Sequence, residues 1–409
     1  MINAVLAAGT VILRGTAGES SVGARPERVA IVGAGIGGLT LALALRRYGI
    51  EAELFEQADR LAEIGAGVAL AANGTRHLER LGLGASLAAV GTEPTELIVR
   101  DGRDGVRIAA HPVRQGAWYR EHCGGPFYGV HRRDLQRILG AAWGDVRLGH
   151  RLVALADGPD RAGLTFSDGT TAEADVVVGA DGIRSNVRQA IAGTEAPVYS
   201  RTSGFRGVVP ADAAPSLLDA QALQMWIGPG AHVVTYSLGP DAGLVNFLVV
   251  VDGPPEWVSR EGWRRRADPA EAAVFADWHP GIAELLAAAP PVERWGLFSL
   301  PALPAWSRGH VVLLGDAAHG MLPHQGQGAN QTIEDAVVLA RLLATSDSLP
   351  AAFGGYERLR RGRTRRVQYL SRRTNDLLHL AAGPAARERD VMFQELPRHL
   401  LWIHSHDAG

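Results

Sequence analysis

The sequence predicts an α/β fold with an inserted, mostly antiparallel sheet and a C-terminal helix. Three observations lead there. Residues 28–57 read as strand, glycine turn, helix and second strand; residues 195–300 hold strand-like segments broken by Gly and Pro; residues 355–380 carry one apolar stripe at helical spacing. With 409 residues, 46% of them hydrophobic, the chain is long enough to bury two cores.

Composition narrows the partners. A net charge of -2 lacks the basic excess that nucleic acid or an anionic membrane calls for, so neither is expected. All 41 basic residues are arginine, which removes Schiff-base chemistry and a P-loop lysine. The one cysteine, Cys123, has no partner for an internal disulfide and suits a reducing cytoplasm. No apolar run reaches the roughly 18 residues of a membrane span. Residues 1–26 lack the charged leader of a secretory signal and read as a loose extension.

In the first unit, a β-branched run from Val29 to Val32 meets Gly33, Gly35 and Gly38, and Leu39, Leu41, Leu43 and Leu45 follow as a helix. Glycine is needed where the backbone turns tightly and where it approaches a pyrophosphate resting on helix N-terminal amides. Glu56 ends the second strand about 20 residues on, where a carboxylate accepts ribose hydroxyls. This is a Rossmann-like dinucleotide pattern, and the acid favours FAD or NAD over NADP.

Three later stretches suit a longer dinucleotide, whose distal part must be held far away in sequence. Arg132 and Arg133 precede an amphipathic helix in residues 128–139. A buried-strand pattern in 174–191 ends at the turn Asp181-Gly182. The strand 310–314 ends at Gly315-Asp316, with a carboxylate where ligands of open α/β sheets bind. Gly326 and Gly328 then let amides face a ligand, Asn330 after them is expected to contact the cofactor, and from Asn330 the positions Ile333, Val337, Val338 and Leu342 form a helix whose N-terminus favours negative charge. His319, His324, Asp316 and Glu334 raise the alternative of a metal. The two histidines are five residues apart across a proline turn rather than four apart on a helix face, so no metal is expected. Glu334 and Asp335 fall in the first turns of the helix, where carboxylates suit its dipole.

Taken in order, Gly33-Ala-Gly35-Ile-Gly37-Gly38, Glu56, His131-Arg132, Gly179-Ala-Asp181-Gly182 and Gly315-Asp316-Ala317-Ala318-His319 resemble the single-component flavin-dependent aromatic hydroxylases. This is the class A flavoprotein monooxygenase family of salicylate hydroxylase, 3-hydroxybenzoate 6-hydroxylase and 6-hydroxynicotinate monooxygenase, and the likeness spans roughly residues 28–345. It implies a discontinuous FAD-binding domain at 28–190 and 301–350, a substrate-binding domain at 191–300 and a C-terminal helical segment at 351–409. It also implies FAD as cofactor and NADH or NADPH as a reductant without a domain of its own. The reaction would be oxygen transfer from O2, through a flavin C4a-hydroperoxide, to an aromatic or heteroaromatic small molecule. Asp316 would bond the ribityl chain, Arg132 would lie against the cofactor, and Asp181-Gly182 would serve FAD and the visiting nicotinamide. A halogenase would need a WxWxIP signature and a pocket lysine, and both are missing. An epoxidase or a Baeyer-Villiger type tailoring enzyme uses the same intermediate and stays open, as does a non-enzymatic dinucleotide binder.

The inserted region supplies substrate candidates. His232, Val234 and Tyr236 alternate onto one strand face, so an imidazole and a phenol line the same wall. The resemblance puts a histidine and a tyrosine at this spacing in the active site. Deprotonating a phenol raises ring electron density, which makes His232 the expected base, relayed with Tyr236. Arg206, beside Phe205, either orients a substrate carboxylate or pairs with an acid on the sheet. His324 lies near the expected flavin edge as a further contact, and Trp226 reads as core packing. In 355–380 the stripe Tyr356, Leu359, Val367, Leu370 and Leu377 leaves the arginines on an outer, solvated face, which favours a helix packed on the FAD domain over a nucleic-acid module.

Overall fold

A computed structural model of the chain describes residues 11–13, 25–61, 67–114, 117–193, 196–259, 262–267, 269–289 and 293–409. Its first layer is a five-stranded sheet in the order Ser307–Arg308, Val311–Leu313, Val176–Gly179, Arg28–Val32, Glu51–Phe55. The last four strands are parallel, and the row Leu313, Gly179, Val32, Phe55 runs straight across them. Leu314, Ala180, Gly33 and Glu56 therefore line up one residue beyond the sheet, at the carboxyl edge where such sheets bind ligands. These strands are continuous apolar runs because helices cover the sheet; Val29 to Val32 are at most 5% exposed. The helices Ile36–Arg47 and Gly328–Thr345 pack side by side over this edge.

The expectation of a loose N-terminal extension fails at Val11–Leu13. These residues form a strand parallel to Leu152–Asp157, in a small sheet with Ala162–Phe166 and Thr171–Ala174. The open edge of Leu152–Asp157 offers unpaired backbone groups, and the short β-branched run at 11–13 is suited to pair with them. The remainder of 1–24 lies outside the described residues.

The second layer is an eight-stranded sheet. Its order is Arg264–Arg266, Glu293–Ser299, Val198–Pro210, Leu244–Asp252, Ala231–Leu238, Leu223–Gly228, Glu96–Asp101, Arg107–Pro112. It is antiparallel as expected, except where Leu223–Gly228 runs parallel to Glu96–Asp101. Two of its strands thus come from outside the 191–300 segment. Parallel pairing across so long a crossover leaves no hairpin signature in the sequence.

Alternation gives this sheet two unlike faces. One carries Phe205, Trp226, Val233, Phe247, Val249 and Val251, which form an apolar core with Ile282 and Leu285 of the helix Pro280–Ala288. The other carries Arg206, Leu248 and Val234 in one register row, flanked by the pairs His232 with Val250 and Tyr236 with Asn246. A two-stranded ribbon, Gly67–Leu70 with Tyr128–His131, lies against this second face.

The C-terminal segment is three helices, Leu349–Leu378, Pro384–Gln394 and Leu396–His404. The buried stripe of the first differs from the predicted one. It runs Tyr356, Arg360, Thr364, Val367, Ser371, Asn375, Leu378, whereas Leu359 is 52% exposed. Arg360 is the main correction to an all-outer arginine face: it is 1% exposed and joins Glu334 and Asp335, both fully buried. Opposite charge in the neighbouring helix turns the stripe toward Arg360 and away from Leu359. Arg365, Arg366, Arg372 and Arg373 stay exposed. Among the described residues no helix is long and apolar enough to cross a membrane.

Burial also determines the acid response. Burial lowers His77 to about 4 despite the opposing pull of Glu334 and Asp407, and lowers His324 and His404 to about 3. Between the ordinary histidine value and these depressed ones, the unfolded chain binds protons that the folded chain refuses. Stability is therefore complete above neutral pH and falls as pH drops through that window, by up to about 2 kcal/mol per imidazole at pH 5. Urea melts at pH 7.5 and pH 5 should show a clearly lower midpoint at pH 5; an unchanged midpoint would mean that these rings are protonated in the folded state.

Candidate active site

The dinucleotide end is built by three glycines with different tasks. Gly33 has φ +107°, and a Cβ there would sit 2.4 Å from the Ala180 carbonyl oxygen. At Gly38 a Cβ would meet the Gly33 carbonyl oxygen at 1.9 Å, so helix and turn touch backbone to backbone. Gly35 caps the helix Ile36–Arg47 and has nothing within 4 Å of its Cβ position, which leaves room at a helix N-terminus for an anion. Glu56 stands beside this opening, accepting the Ala34 N–H at 2.9 Å and the Ala58 N–H at 3.0 Å. Its remaining lone pairs suit ribose hydroxyls.

Gly315, at φ +63° and ψ -138°, turns the chain from Val311–Leu313 into the short helix Asp316–His319. Every residue from Val311 to Gly320 is buried except Asp316. A solitary exposed carboxylate in a buried stretch is what a polar ligand chain requires. Gly328 opens the helix Gly328–Thr345 beside it, with its Cβ position 4.0 Å from Asp316 Oδ1. Gly326, at φ +60°, makes the preceding turn. Asn330 is different from its expected role: its side chain accepts the Ala71 N–H at 3.0 Å and donates to the carbonyls of Ala69 and Gly326 at 3.1 and 2.9 Å. It pins the ribbon to the turn instead of reaching out to a cofactor.

Asp181 Oδ2 accepts the N–H groups of Asn186 and Val187 at 2.7 and 3.2 Å, and its buried Oδ1 has no partner among the described residues. Burial pushes this carboxyl up, against Ser185 and the two amides. Gly182, at φ +75°, faces open space. Arg132 begins the helix Arg132–Trp143 at the junction of the two layers, and its charge is felt by Asp316, Arg206 and Tyr236. Burial lowers its pKa while Asp316 pulls it back up.

On the sheet face, His232 is fully buried. Its ring packs edge-on against His324 with centroids 5.2 Å apart, and its Nδ1 shares a 2.7 Å hydrogen bond with His379 Nε2. His232 Nε2 and both ring nitrogens of His324 are buried with no partner among the described residues. His324 sits in the turn Pro323–Gln325, so the structure brings this turn and the sheet face together through the His232–His324 contact. Tyr236 lies four residues from His232 along an extended strand, about 13 Å away. Among the described residues no hydrogen bond joins the two side chains, and His232 Nδ1 pairs with His379 instead of with the expected relay partner. Tyr236 instead keeps company with Arg206 and Arg132, which draw its phenol down while burial, the larger effect, pushes it up. Its ring fits against the ribbon because Gly67 and Gly129 lack side chains; a Cβ at either would lie 2.6 Å from the Tyr236 hydroxyl or 2.8 Å from its ring.

Several site residues were not singled out from sequence. Asn246 accepts the Gly67 N–H at 2.6 Å and holds the ribbon to the sheet. His379 and Asp252 continue the hydrogen bonding of His232 outward. Strand alternation from Val250, the partner of His232, was the available signal for Asp252; His379 had none. The histidines once weighed as metal ligands diverge, His319 to Asp335 at 2.5 Å and His324 to His232. Among the described residues no group of three or more His, Cys, Asp or Glu side chains is placed to hold a metal ion.

The open space at Gly35, the carboxylate of Glu56 and the isolated exposed Asp316 fit an extended dinucleotide such as FAD. Comparison with known proteins agrees. The FAD binding domain family matches residues 27–369. A 3-amino-4-hydroxybenzoate 2-monooxygenase of Streptomyces platensis is 41% identical over 388 residues, which cover 93% of this chain and 96% of that protein. A 6-hydroxynicotinate 3-monooxygenase of Bordetella bronchiseptica is 34% identical over 84% of this chain and 90% of its own. The Klebsiella pneumoniae protein HpxO, solved with FAD and uric acid, superposes with a TM-score of 0.80 at 28% identity, over 92% of this chain and 95% of that one. With this fold, this cofactor site and these relatives, the chain belongs to the FAD binding domain family, among the single-component FAD-dependent aromatic hydroxylases.

Proposed function

We propose that the chain hydroxylates a phenolic aromatic acid, with 3-amino-4-hydroxybenzoate as the first candidate, and that His232 removes the phenolic proton. One observation carries this reading: three imidazole nitrogens, on His232 and His324, are buried without partners where the sheet meets the flavin end. An unsatisfied buried polar atom costs about 1–3 kcal/mol, which a bound hydroxyl or phenolate would recover. The relatives support the substrate class, since 3-amino-4-hydroxybenzoate and 6-hydroxynicotinate each join a ring hydroxyl to a carboxylate. Arg206 shares the sheet face of His232 and receives the carboxylate.

In this reading residues 28–190 and 301–350 hold FAD, and residues 191–300, joined by the strands of 96–112, hold the substrate. Glu56 takes the ribose, Gly35 admits the pyrophosphate, Asp316 takes the ribityl chain, and the N-terminus of Gly328–Thr345 favours negative charge on the reduced ring. Bound FAD, reduced by NAD(P)H, supplies oxygen activation and transfer. The protein's own part is to hold the ring, withdraw the phenolic proton at His232 Nε2 and keep water out with the closed contact of Tyr236 on Gly67 and Gly129. A nicotinamide reductant and the buried thiol Cys123 both suit a cytoplasmic enzyme.

The test is NADH and NADPH oxidation by the FAD-loaded enzyme with 3-amino-4-hydroxybenzoate, 4-hydroxybenzoate and 6-hydroxynicotinate, with mass spectrometry of the products. Stimulated oxidation and gain of one oxygen atom are expected for at least one. Equal stimulation by benzoate, which has no hydroxyl, would overturn the phenol reading.

A further inference from the structure

The hydrogen bonding that begins at His232 runs to the surface. From the 2.7 Å bond between His232 Nδ1 and His379 Nε2, it continues through a 2.6 Å bond between His379 Nδ1 and Asp252 Oδ1. Exposure rises along this line: His232 is fully buried, the His379 side chain is 6% exposed and that of Asp252 is 64% exposed. A pair of adjacent strands, Ala231–Leu238 and Leu244–Asp252, meets here the distant residue that caps Leu349–Leu378. Their backbones are tied as well. The Gly230 N–H donates to the His379 carbonyl at 3.1 Å, and the Asp252 N–H donates to the Gly230 carbonyl at 2.8 Å.

We propose that His379 and Asp252 are a proton exit that links His232 to solvent when the substrate phenol ionises. The proposal rests on His232 as the base. A carboxylate accepts only, so Asp252 fixes the proton of His379 on Nδ1 and leaves its Nε2 as an acceptor. His232 must then carry its own proton on Nδ1, which turns the lone pair of Nε2 toward the ring site. The line of tautomers is thus set from the surface inward.

The transfers balance. The substrate O–H bond breaks, its electron pair stays on oxygen, and the proton binds His232 Nε2. The Nδ1 proton of His232 passes to His379 Nε2, the Nδ1 proton of His379 passes to Asp252, and Asp252 releases it to water. Reprotonation of the product oxygen runs the line backward and restores both tautomers. The surroundings demand such an exit. His232 faces His324 and His379, and burial foremost keeps its cation unfavourable; His379 is also held low by burial, with Asp252 and Asp376 pulling it up. A proton taken up at His232 is therefore passed on rather than stored.

The test follows phenol ionisation by stopped-flow ultraviolet absorbance as FAD-loaded enzyme binds 3-amino-4-hydroxybenzoate. Asp252→Asn and His379→Gln should slow ionisation roughly tenfold or more with the dissociation constant little moved. Dissolved imidazole should restore the rate in His379→Gly, which a loss of packing alone would not allow. Ionisation at the parental rate in both Asp252→Asn and His379→Gln overturns the exit, as does a slowing that imidazole leaves untouched. His232→Ala separates the two levels. If it ionises the phenol normally, the base assignment falls; if it is slow while the His379 and Asp252 variants are fast, only the exit falls. Absence of any ionisation signal in the parent enzyme removes the phenol reading and the exit together.

Discussion

His232→Ala is expected to lower hydroxylation by roughly 10²–10⁴-fold, the range that a positioned general base supplies. FAD should remain bound, because Gly35, Glu56 and Asp316 lie on the other layer and, among the described residues, make no hydrogen bond to His232. The loss should fall on product formation more than on NAD(P)H oxidation, since an un-ionised ring is a poor acceptor of oxygen while reduction of the flavin needs no base. Comparing oxygenated product with NAD(P)H consumed separates the two. His232→Gln guards against a folding defect by keeping a polar group next to His379. Coupled turnover at the parental rate in both variants would remove His232 from the mechanism.

Arg360→Leu should be the most destabilising single change in the FAD layer, at about 3–5 kcal/mol. Arg360 bonds Asp335 through Nε at 2.7 Å, Glu334 through Nη1, and the Gln331 side-chain oxygen at 2.8 Å. Burial alone pushes both acids up, but the positive groups around them win. Arg360 and Arg363 hold Glu334 below its ordinary value, and His319 and Arg360 do the same for Asp335. Removing Arg360 leaves Glu334 with Arg363 and Asn73, and Asp335 with His319. Asp335 also accepts the Gly315 N–H at 3.1 Å, so the turn that presents Asp316 should loosen too. Urea unfolding gives the stability, and flavin release on dilution reports the turn. A loss below about 1 kcal/mol would mean that the two carboxylates take up protons at little cost.

The parts of the site that were legible in the sequence are those whose constraint is local. Gly38 is required by a backbone contact within one turn, and Gly33 and Gly315 by their positive φ, so they announce themselves at fixed spacing. Strand alternation likewise placed His232, Val234 and Tyr236 on one face, and Trp226, read as core packing, lies in the apolar core. What depends on long-range closure was not legible. The parallel pairing of Glu96–Asp101 with Leu223–Gly228, the burial of Arg360 against acids one helix away, and the meeting of His379 with Asp252 each join segments with no shared pattern. Asn330 shows a further limit. Its place after a glycine turn suggested a ligand contact, but a buried amide with three hydrogen bonds inside the protein has a mechanical task.

The two-faced sheet has a consequence for how such an enzyme diverges. Phe205, Trp226, Val233, Phe247 and Val249 keep the sheet folded, and their alternate neighbours Arg206, Val234, Leu248 and Val250 point to the face proposed to hold the ring. Substitutions at the second set change which molecule is accepted while leaving the first set's packing alone. Lineages that share this scaffold are therefore free to trade one ring for another by small steps, without passing through an unfolded ancestor.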